Sequence, residues 1–591
     1  MRSSPATRRT SPQARPPFVR ARAALTAAGM LAAVAVAVQN AGAQSAVGPL
    51  ENASVPSQWE LRFGIATEFV TFDERFGDSG EREPLLARLA FDALGSGQLP
   101  ALGAVEGALR SLTGLTDFRL SLGRTTTSAS ARVTVVPVSL ELGVTRRIAV
   151  GILVPYIFTR VDAFADINRD ASGANVGINP VLAGGEGAAA ALAANAAFVA
   201  QLDAASAALQ QSIDQCRADP GASPDCPAIL ADGPGLVASS GDLAAGIASV
   251  FGTDAGSNAG ALVVPLAGSG AQLALGIRIE LLRQALESLG AGSAFTALGP
   301  SFAAAPATFG QSRALLEAMG FGADPIARVD RSHIGDVELG LKMLLFDGMA
   351  GAAESGDGGD DDAPAGLRTR AAVAARVRLG TGEPDSPNNF ADLGTGDGQT
   401  DIELGIFADV ALGSRIQSGL AARYGWQLAD ERAMRIPLVA GSLLAPEYSL
   451  QTVQRDLGDY VELEVNPRYA VARGLAVIGH YRYRRIAEHR YSGMFPIDAA
   501  TTGFGDVVLD AANIASGAAQ QEHRAGLGIV YSTADARTRG AGGAVGAGGG
   551  RGMIPVPVEV SLLHVGSFAG SGGQPVIASD RVQVRIFFGG R

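Results

Sequence analysis

The stretch LELGVTRRIAVGILVPYIF, residues 140–158, decides the fold class of this chain. Its second arm places apolar residues at every other position, a period of two that is typical of β-strands. These residues are Ile148, Val150, Ile152, Val154, Tyr156 and Phe158. Leu140, Leu142 and Val144 alternate in the same way on the first arm, and the polar break Thr145-Arg146-Arg147 predicts a hairpin. The long apolar face of this hairpin must meet either a protein core or lipid.

The first 43 residues predict a cleaved secretory signal peptide. Residues 1–23 carry six arginines, residues 25–38 are LTAAGMLAAVAVAV, and Ala41-Gly42-Ala43 forms an A-x-A cleavage site. A membrane anchor is the alternative, but this apolar segment is short for spanning about 30 Å of hydrocarbon. We therefore expect an exported protein whose mature chain begins at Gln44.

Strand-like alternation returns along the mature chain and predicts a transmembrane antiparallel up-and-down β-barrel of about twelve strands. The strands are expected at roughly 59–72, 131–144, 147–162, 334–346, 367–381, 400–412, 415–429, 456–470, 474–490, 519–533, 555–568 and 578–590. Membrane strands need about 9–11 residues, whereas soluble strands usually have about 5–6. Long connections lie on one rim and mostly tight turns on the other, except at 348–366 and 534–554. This asymmetry is typical of an outer-membrane barrel.

Two insertions interrupt the strands. Residues 44–162 hold the first barrel strands with a partly helical loop at 73–130, and residues 334–591 hold the remaining strands. ARLAFDALGSG and GALRSLTGL in the first loop have helical spacing. Residues 163–333 form an Ala/Gly-rich extracellular insertion, in which AQLALGIRIELLRQALESLG and RALLEAMG predict helices. For its middle part a low-complexity loop is an equal alternative.

The two cysteines of the chain, Cys216 and Cys226, flank the Pro/Gly-containing segment CRADPGASPDC in this insertion. A close pair in an exported chain predicts a disulfide. A metal site is the alternative, but no histidine lies nearby in the sequence. The disulfide would close the loop and says little about function.

The two faces of the strands differ in a way that favours lipid outside. The apolar faces end in aromatic residues, as expected for membrane girdles, at Trp59, Tyr156, Phe158, Tyr424, Trp426, Tyr469, Tyr481, Tyr483, Tyr531 and Phe588. The polar faces carry charges of both signs at strand density. The lumen candidates are Glu338, Arg376, Glu403, Arg423, Glu462, Glu464, Arg468, His480, Arg482 and Arg484.

Several hairpins resemble those of a bacterial outer-membrane family known for the meta-pathway of phenol degradation. The resemblance rests on LELGVTRRIAVGILVPY, on GDVELGLKMLLF, and on RVRLGTGEPD followed by DIELGIFADVAL. It covers the barrel strands but neither insertion. The resemblance implies an outer-membrane barrel that passes hydrophobic or aromatic compounds.

Enzymatic and cofactor-dependent functions are not expected. The mature chain has five histidines but neither a G-x-S-x-G elbow nor an H-E-x-x-H motif. His480 is interpreted as part of a lumen network, with catalysis as the minor alternative. The run GDGGDDD at 356–362 lacks the EF-hand spacing and is expected to be a solvated turn. No catalytic residue, metal site or cofactor is predicted, and a net charge of −11 gives no argument for nucleic-acid binding.

The sequence thus predicts a channel or transporter for small solutes, hydrophobic or aromatic ones among them, in the outer membrane of a diderm bacterium. The expected partners are membrane lipid, the outer-membrane assembly machinery and a small-molecule solute. A structural or surface-binding barrel, whose insertion at 163–333 recognises a partner without transport, is the alternative. A barrel hydrolase is a third hypothesis.

Overall fold

The computed structural model describes residues 52–169, 173–254, 256, 259–292, 295, 299–318, 320, 322, 328–349, 366–389, 391–440, 445–502, 505–514, 519–533 and 556–588. The predicted signal peptide, the GDGGDDD run and the Gly-rich segment 534–554 lie outside the described residues.

Twelve strands of a 13-stranded antiparallel sheet close into a barrel. They are β1 (Leu61–Phe72), β2 (Thr125–Gly143), β3 (Ile148–Ile167), β4 (Val337–Asp347), β5 (Leu367–Leu379), β6 (Asp401–Leu412), β7 (Ile416–Gln427), β8 (Tyr460–Ala472), β9 (Leu475–Ile486), β10 (Gln520–Ser532), β11 (Val558–Ser571) and β12 (Ala578–Phe588). Each strand pairs with the next, and β12 pairs with β1. Closure removes the free edges that a sheet cannot expose to lipid, and the predicted up-and-down barrel is confirmed.

The opening hairpin is formed by β2 and β3. The N–H of Val144 donates to the carbonyl of Ile148 at 2.8 Å, and Thr145 Oγ1 accepts the N–H groups of Arg147 and Ile148 at 3.1 and 3.0 Å. Val150, Ile152, Tyr156 and Phe158 point outward with 40–46 % of their surface exposed. The long apolar face therefore covers the outside of the barrel and meets lipid rather than a protein core.

We call the barrel end that carries the long connections the loop rim, and the end with the tight turns the turn rim. Outward aromatic residues lie near both. Tyr156 packs edge to face against Phe158 at 4.9 Å near the loop rim, and Tyr424 packs against Trp426 at 4.7 Å. Trp59, Tyr469, Tyr531 and Phe588 are exposed near the turn rim. These two belts are the girdles expected where a barrel meets the two membrane surfaces.

A helical lobe stands on the loop rim. Its helices are α1 (Gly103–Thr113), α2 (Gly185–Ala218), α3 (Cys226–Phe251), α4 (Gly270–Ser288) and α5 (Phe309–Ala318). Strands β2 and β3, with 19 and 20 residues, are longer than a membrane crossing requires. Their inward side chains near the rim, such as Val133 and Ile157, share one core with Phe198 of α2 and Ile247 of α3. The lobe is thus seated on an extension of the barrel wall.

The middle of the insertion is helical rather than a low-complexity loop. Helices α2 and α3 are joined by the predicted disulfide between Cys216 and Cys226. By length and composition both helices could cross a membrane. Their buried residues, among them Leu209 and Val250, belong to the lobe core. We therefore assign both helices to the lobe.

One helix prediction in the first loop is wrong. ARLAFDALGSG forms only the 3-10 turn Ala87–Leu89, whereas most of GALRSLTGL lies in α1. After the turn, the N–H of Leu94 donates to the carbonyl of Gly123 at 2.9 Å. The carbonyl of Leu94 accepts the N–H of Leu122 at 2.8 Å. These bonds to the segment before β2 replace the local bonds that a helix needs.

Short strands cover much of the loop rim. A three-stranded sheet contains Asp430–Arg435, Leu450–Asp456 and Arg490–Ser492. Three further two-stranded pairs are Met494–Ile497 with Val507–Asp510, Glu74–Phe76 with Arg82–Pro84, and Val176–Ile178 with Val263–Pro265. The strand Val329–Ile334 pairs with β3 just before β4 begins. The short helix Ala499–Thr502 connects the strands Met494–Ile497 and Val507–Asp510. The rim connections are therefore folded structure.

Candidate functional site

All ten predicted lumen candidates lie at inward positions of the barrel strands. Seven of them are buried, and Arg376, Arg468 and Arg482 are half-buried. The alternation of side chains along each strand places them there, because every second residue faces the same side. Whether they contact a solute stays a prediction.

An ion-pair network lines the lumen from β7 to β10, in the half nearer the loop rim. Arg423 Nη1 lies 2.6 Å from Glu462 Oε1 and 2.8 Å from Glu464 Oε2. Arg482 lies 3.7 Å from Glu462 and 3.4 Å from Glu522. Residues that face each other on neighbouring strands, such as Arg423 and Glu462, share one side of the sheet. The strand register therefore assembles the network.

A second group of charges joins this network from β4 to β6. Arg376 lies 2.8 Å from Glu403 and 3.5 Å from Glu338. Tyr460 donates its hydroxyl to Glu403 at 2.7 Å, and the guanidinium of Arg484 stacks 4.1 Å above the Tyr460 ring. The inner wall thus alternates cations and carboxylates over neighbouring strands.

His480 belongs to the same network. Its Nδ1 lies 2.8 Å from Asn466 Oδ1 and 3.6 Å from Glu464, and Asn466 also donates to Glu464 at 2.7 Å. These contacts place the imidazole inside the network, and its electrostatic role stays a prediction. Within the described ranges no group of three metal-ligating side chains occurs.

The segment 52–58, which precedes β1, enters the lumen at the turn rim. Lys342 Nζ donates to the carbonyl of Asn52 at 3.0 Å, and Arg62 donates to Ser54 Oγ at 3.1 Å. Ala53 is fully buried against the inward side chains of Ala372, Phe407 and Ala421. The sequence did not predict this placement, because an irregular segment carries no periodic signal.

The loop between β5 and β6, residues 380–400, folds over the lumen at the loop rim. Asp336, just before β4, accepts the N–H of Gly382 at 2.9 Å and that of Asp397 at 3.4 Å. Thr159 of β3 donates to the carbonyl of Leu393 at 3.1 Å. Burial is the larger cause, and the nearby carboxylate of Asp397 the smaller one, that raises the pKa of Asp336 to about 7. This buried carboxyl anchors the loop.

A cavity of about 440 Å³ lies in the turn-rim half of the lumen. Most of its lining comes from β1 to β5, β12 and the segment 52–58, and β7, β8, β10 and β11 contribute one residue each. We call this cavity the chamber. Its charged lining comprises one lysine, six arginines and three glutamates, namely Lys342, Arg62, Arg370, Arg376, Arg468, Arg581, Arg585, Glu141, Glu338 and Glu559. Arg376, Arg468 and Glu338 were lumen candidates. Arg62 and Arg581 were not predicted as lumen residues, although the alternation in WELRFGIATEF and DRVQVRIFF places both on the polar face of their strands.

Comparisons with known proteins add the following. No protein-family model matches the chain, and no curated protein sequence matches it. An outer-membrane channel from Pseudomonas putida F1 aligns with a TM-score of 0.38 at 8 % identity, over 92 % of this chain and 100 % of the other.

Two further solved structures align over similar lengths. The Pseudomonas putida toluene transporter TodX gives a TM-score of 0.25 at 9 % identity, covering 95 % of this chain and 99 % of the other. The translocator domain of the Neisseria meningitidis autotransporter NalP gives 0.26 at 7 % identity, covering 89 % and 88 %. These scores are too low to carry an argument about family or solute. The barrel is established by its own strand pairing.

Proposed function

We propose that the protein is an outer-membrane channel for small solutes, hydrophobic or aromatic ones among them. The observation that carries the proposal is the chamber of about 440 Å³ inside a barrel that is apolar outside and charged inside. Small-molecule sites have volumes of about 300–1,000 Å³. The chamber is therefore large enough for a small organic solute.

The charged interior supports passage rather than mere anchoring. Burying ionised side chains costs desolvation energy that their mutual attraction repays only in part. A barrel that served only to hold the lobe in the membrane would be as stable with an apolar, well-packed interior. In the proposed function the ionised groups instead give the lumen a polar surface along which a solute moves.

The route in this proposal begins at the loop rim and ends at the turn rim. The solute passes the folded loop 380–400, then the ion-pair network around Arg423, and reaches the chamber beside the segment 52–58. The network and this segment narrow the lumen, since both occupy its interior. Passage therefore requires side chains of the network, or the segment itself, to move.

A matched pair of tryptophan variants tests the proposal. Ala374 is an inward residue of the chamber lining, and its neighbour Ala375 is exposed on the lipid face. The wild-type protein should give ion conductance in planar bilayers. Ala374→Trp should lower the conductance because the ring fills part of the chamber, whereas Ala375→Trp should leave it unchanged. Equal conductance in all three proteins would count against the chamber as the route.

A surface-binding barrel is the second candidate. It is favoured by the near-complete burial of the ion-pair network around Arg423, where Glu464 is 3 % exposed, and by the disulfide-closed lobe. This candidate predicts a folded protein that is silent in bilayers. Heat-modifiable migration on SDS gels verifies folding in the same preparation, so that an absence of conductance cannot be attributed to misfolded protein.

A further inference from the structure

We infer that the chamber selects small organic anions, and that an aromatic carboxylate is the solute class it fits. The inference deepens the proposed function and rests on it for the idea that solutes pass through the chamber. It starts from the charge of the lining, where seven cationic side chains face three carboxylates. A cavity lined by one sign of charge concentrates ions of the opposite sign.

Two carboxylates that pair with these cations lie inside the lumen but outside the chamber lining. Arg370 lies 2.7 Å from Asp409, which is fully buried, and Arg581 lies 3.5 Å from Glu68. Neither Asp409 nor Glu68 belongs to the chamber lining. The cationic side of each pair is therefore the side that a solute meets.

These arginines also have hydrogen-bonding capacity to offer. A guanidinium has five N–H donors, and a single carboxylate engages only one or two of them. In Arg581 the Nε is buried and donates to no acceptor within the described part of the chain. A buried donor without an acceptor is costly, and a solute anion beside this guanidinium would offset part of that cost through its charge.

The remainder of the inward lining includes an apolar surface. Ala66, Pro137, Ala149, Leu153, Ala374 and Phe587 form this surface, beside the neutral polar residues Ser139, Gln417, Ser532 and Gln583. The guanidinium of Arg62 lies 5.6 Å from the centre of the Phe587 ring, so that a cation and an apolar surface are adjacent. An aromatic carboxylate can place its ring on the apolar wall and its charge toward the arginines.

The charge of the chamber also argues against neutral aromatic compounds and aromatic cations as solutes. A neutral aromatic compound would displace water from the arginine donors without replacing those hydrogen bonds. An aromatic cation would meet like charge. The anion is therefore the form that the chamber favours.

Three probes of similar shape but different charge test the inference: benzoate, benzamide and benzylammonium. We expect benzoate to bind the full-length, detergent-solubilised protein about tenfold more tightly than benzamide, since hydrogen bonds to a charged group are the stronger ones. Benzylammonium should bind most weakly. Calorimetry measures the binding, and the reversal potential under a KCl gradient in planar bilayers should show anion preference.

Charge-neutralising variants identify the chamber as the site. Arg62→Gln combined with Arg585→Gln should lower the anion preference and the benzoate affinity, each by about threefold or more. Arg585→Lys retains the charge and should retain most of the preference. The control is Arg146→Gln combined with Arg147→Gln, which removes an equal charge from the exposed turn outside the chamber lining. Heat-modifiable migration on SDS gels shows whether each variant is folded.

The outcomes separate the two proposals. Equal affinity for benzoate and benzamide, or equal effects of the chamber double variant and of the control double variant at Arg146 and Arg147, would overturn the inference even if the protein conducts ions. Silent bilayers together with selective benzoate binding would refute the channel but support the anion site. Conductance with cation preference would support the channel and overturn the inference that the chamber selects anions.

Discussion

Arg423 binds two carboxylates of the neighbouring strand at once, since its Nη1 lies 2.6 Å from Glu462 and 2.8 Å from Glu464. All three side chains are at most 5 % exposed. Removal of one partner from such a buried group costs about 3–5 kcal/mol, because the remaining charges lose their compensation. Arg423→Met should therefore strongly lower the temperature at which the barrel loses its compact migration on SDS gels.

Two companion variants check this stability prediction. Arg423→Met with Glu464→Gln should be more stable than Arg423→Met alone, because one uncompensated carboxylate is gone. Arg132→Met, which removes an exposed cation from the outer face of β2, should have little effect. The prediction is wrong if Arg423→Met and Arg132→Met melt alike.

The anchor of the loop 380–400 should depend on pH. Burial and the neighbouring Asp397 raise the pKa of Asp336 to about 7, above the usual value of about 3.9. The folded state thus favours the protonated form, so its contribution to stability is complete below about pH 4 and is lost as the pH rises through about 7. Proteolysis of the loop should be faster at pH 8.5 than at pH 5.5, both of which are about 1.5 units from that pKa.

The matched variant for this pH prediction is Asp336→Asn. Its side-chain oxygen can still accept the N–H of Gly382, but it does not titrate. The pH dependence of loop cleavage should therefore disappear. Loop cleavage that changes with pH equally in both proteins would exclude Asp336 as the cause.

The segment 52–58 should leave the lumen when Ala53 is enlarged. Ala53 is fully buried against Phe407, Ala372 and Ala421, so that Ala53→Arg cannot be accommodated. A thiol introduced by Ser54→Cys should then react faster with a polar alkylating reagent, and the single-channel conductance should rise. Cys216 and Cys226 do not compete, since they form a disulfide.

The control for the segment is Gln58→Arg, which adds the same side chain at an exposed position of the same segment. It should change neither the labelling rate of Ser54→Cys nor the conductance. If Ala53→Arg behaves like this control, the segment is not held in the lumen by packing of Ala53.

The disulfide should stabilise the lobe without affecting the barrel. Cys216 and Cys226 are 3 % and 1 % exposed and join α2 to α3. Loss of a disulfide that closes a short loop typically costs about 2–4 kcal/mol. The double variant Cys216→Ser, Cys226→Ser should show faster tryptic cleavage in the lobe, with unchanged heat-modifiable migration of the barrel. A simultaneous loss of barrel migration would show that the two parts unfold together.

Much of the barrel could be predicted from the sequence because its signal is local. Alternation at Ile148 to Phe158 identifies a strand and its apolar face without knowledge of any partner strand. The inward position of Glu462, Arg482 and the other lumen candidates follows from the same period of two. The middle of the insertion was harder to predict, because the Ala/Gly-rich stretches of α2 and α3 have only a weakly apolar face.

The placement of irregular segments could not be predicted in this way. The bond from Lys342 to the carbonyl of Asn52 joins residues 290 positions apart, and that from Thr159 to Leu393 joins residues 234 apart. Neither segment 52–58 nor the loop 380–400 has a repeating pattern. Their positions depend on the shape of the lumen, which exists only once the barrel has closed.

The sequence by itself determined the strands, their apolar and polar faces, and the disulfide partners, because each depends on neighbours within one element or one short loop. It assigned the apolar face to lipid through the signal peptide, the strand lengths and the loop asymmetry. The tertiary structure alone decided which charges meet. Closure brings β12 beside β1 and sets Arg581 against Glu68, which are 513 residues apart in the chain. The cationic chamber is a product of that closure, since its lining is drawn from strands at both ends of the chain.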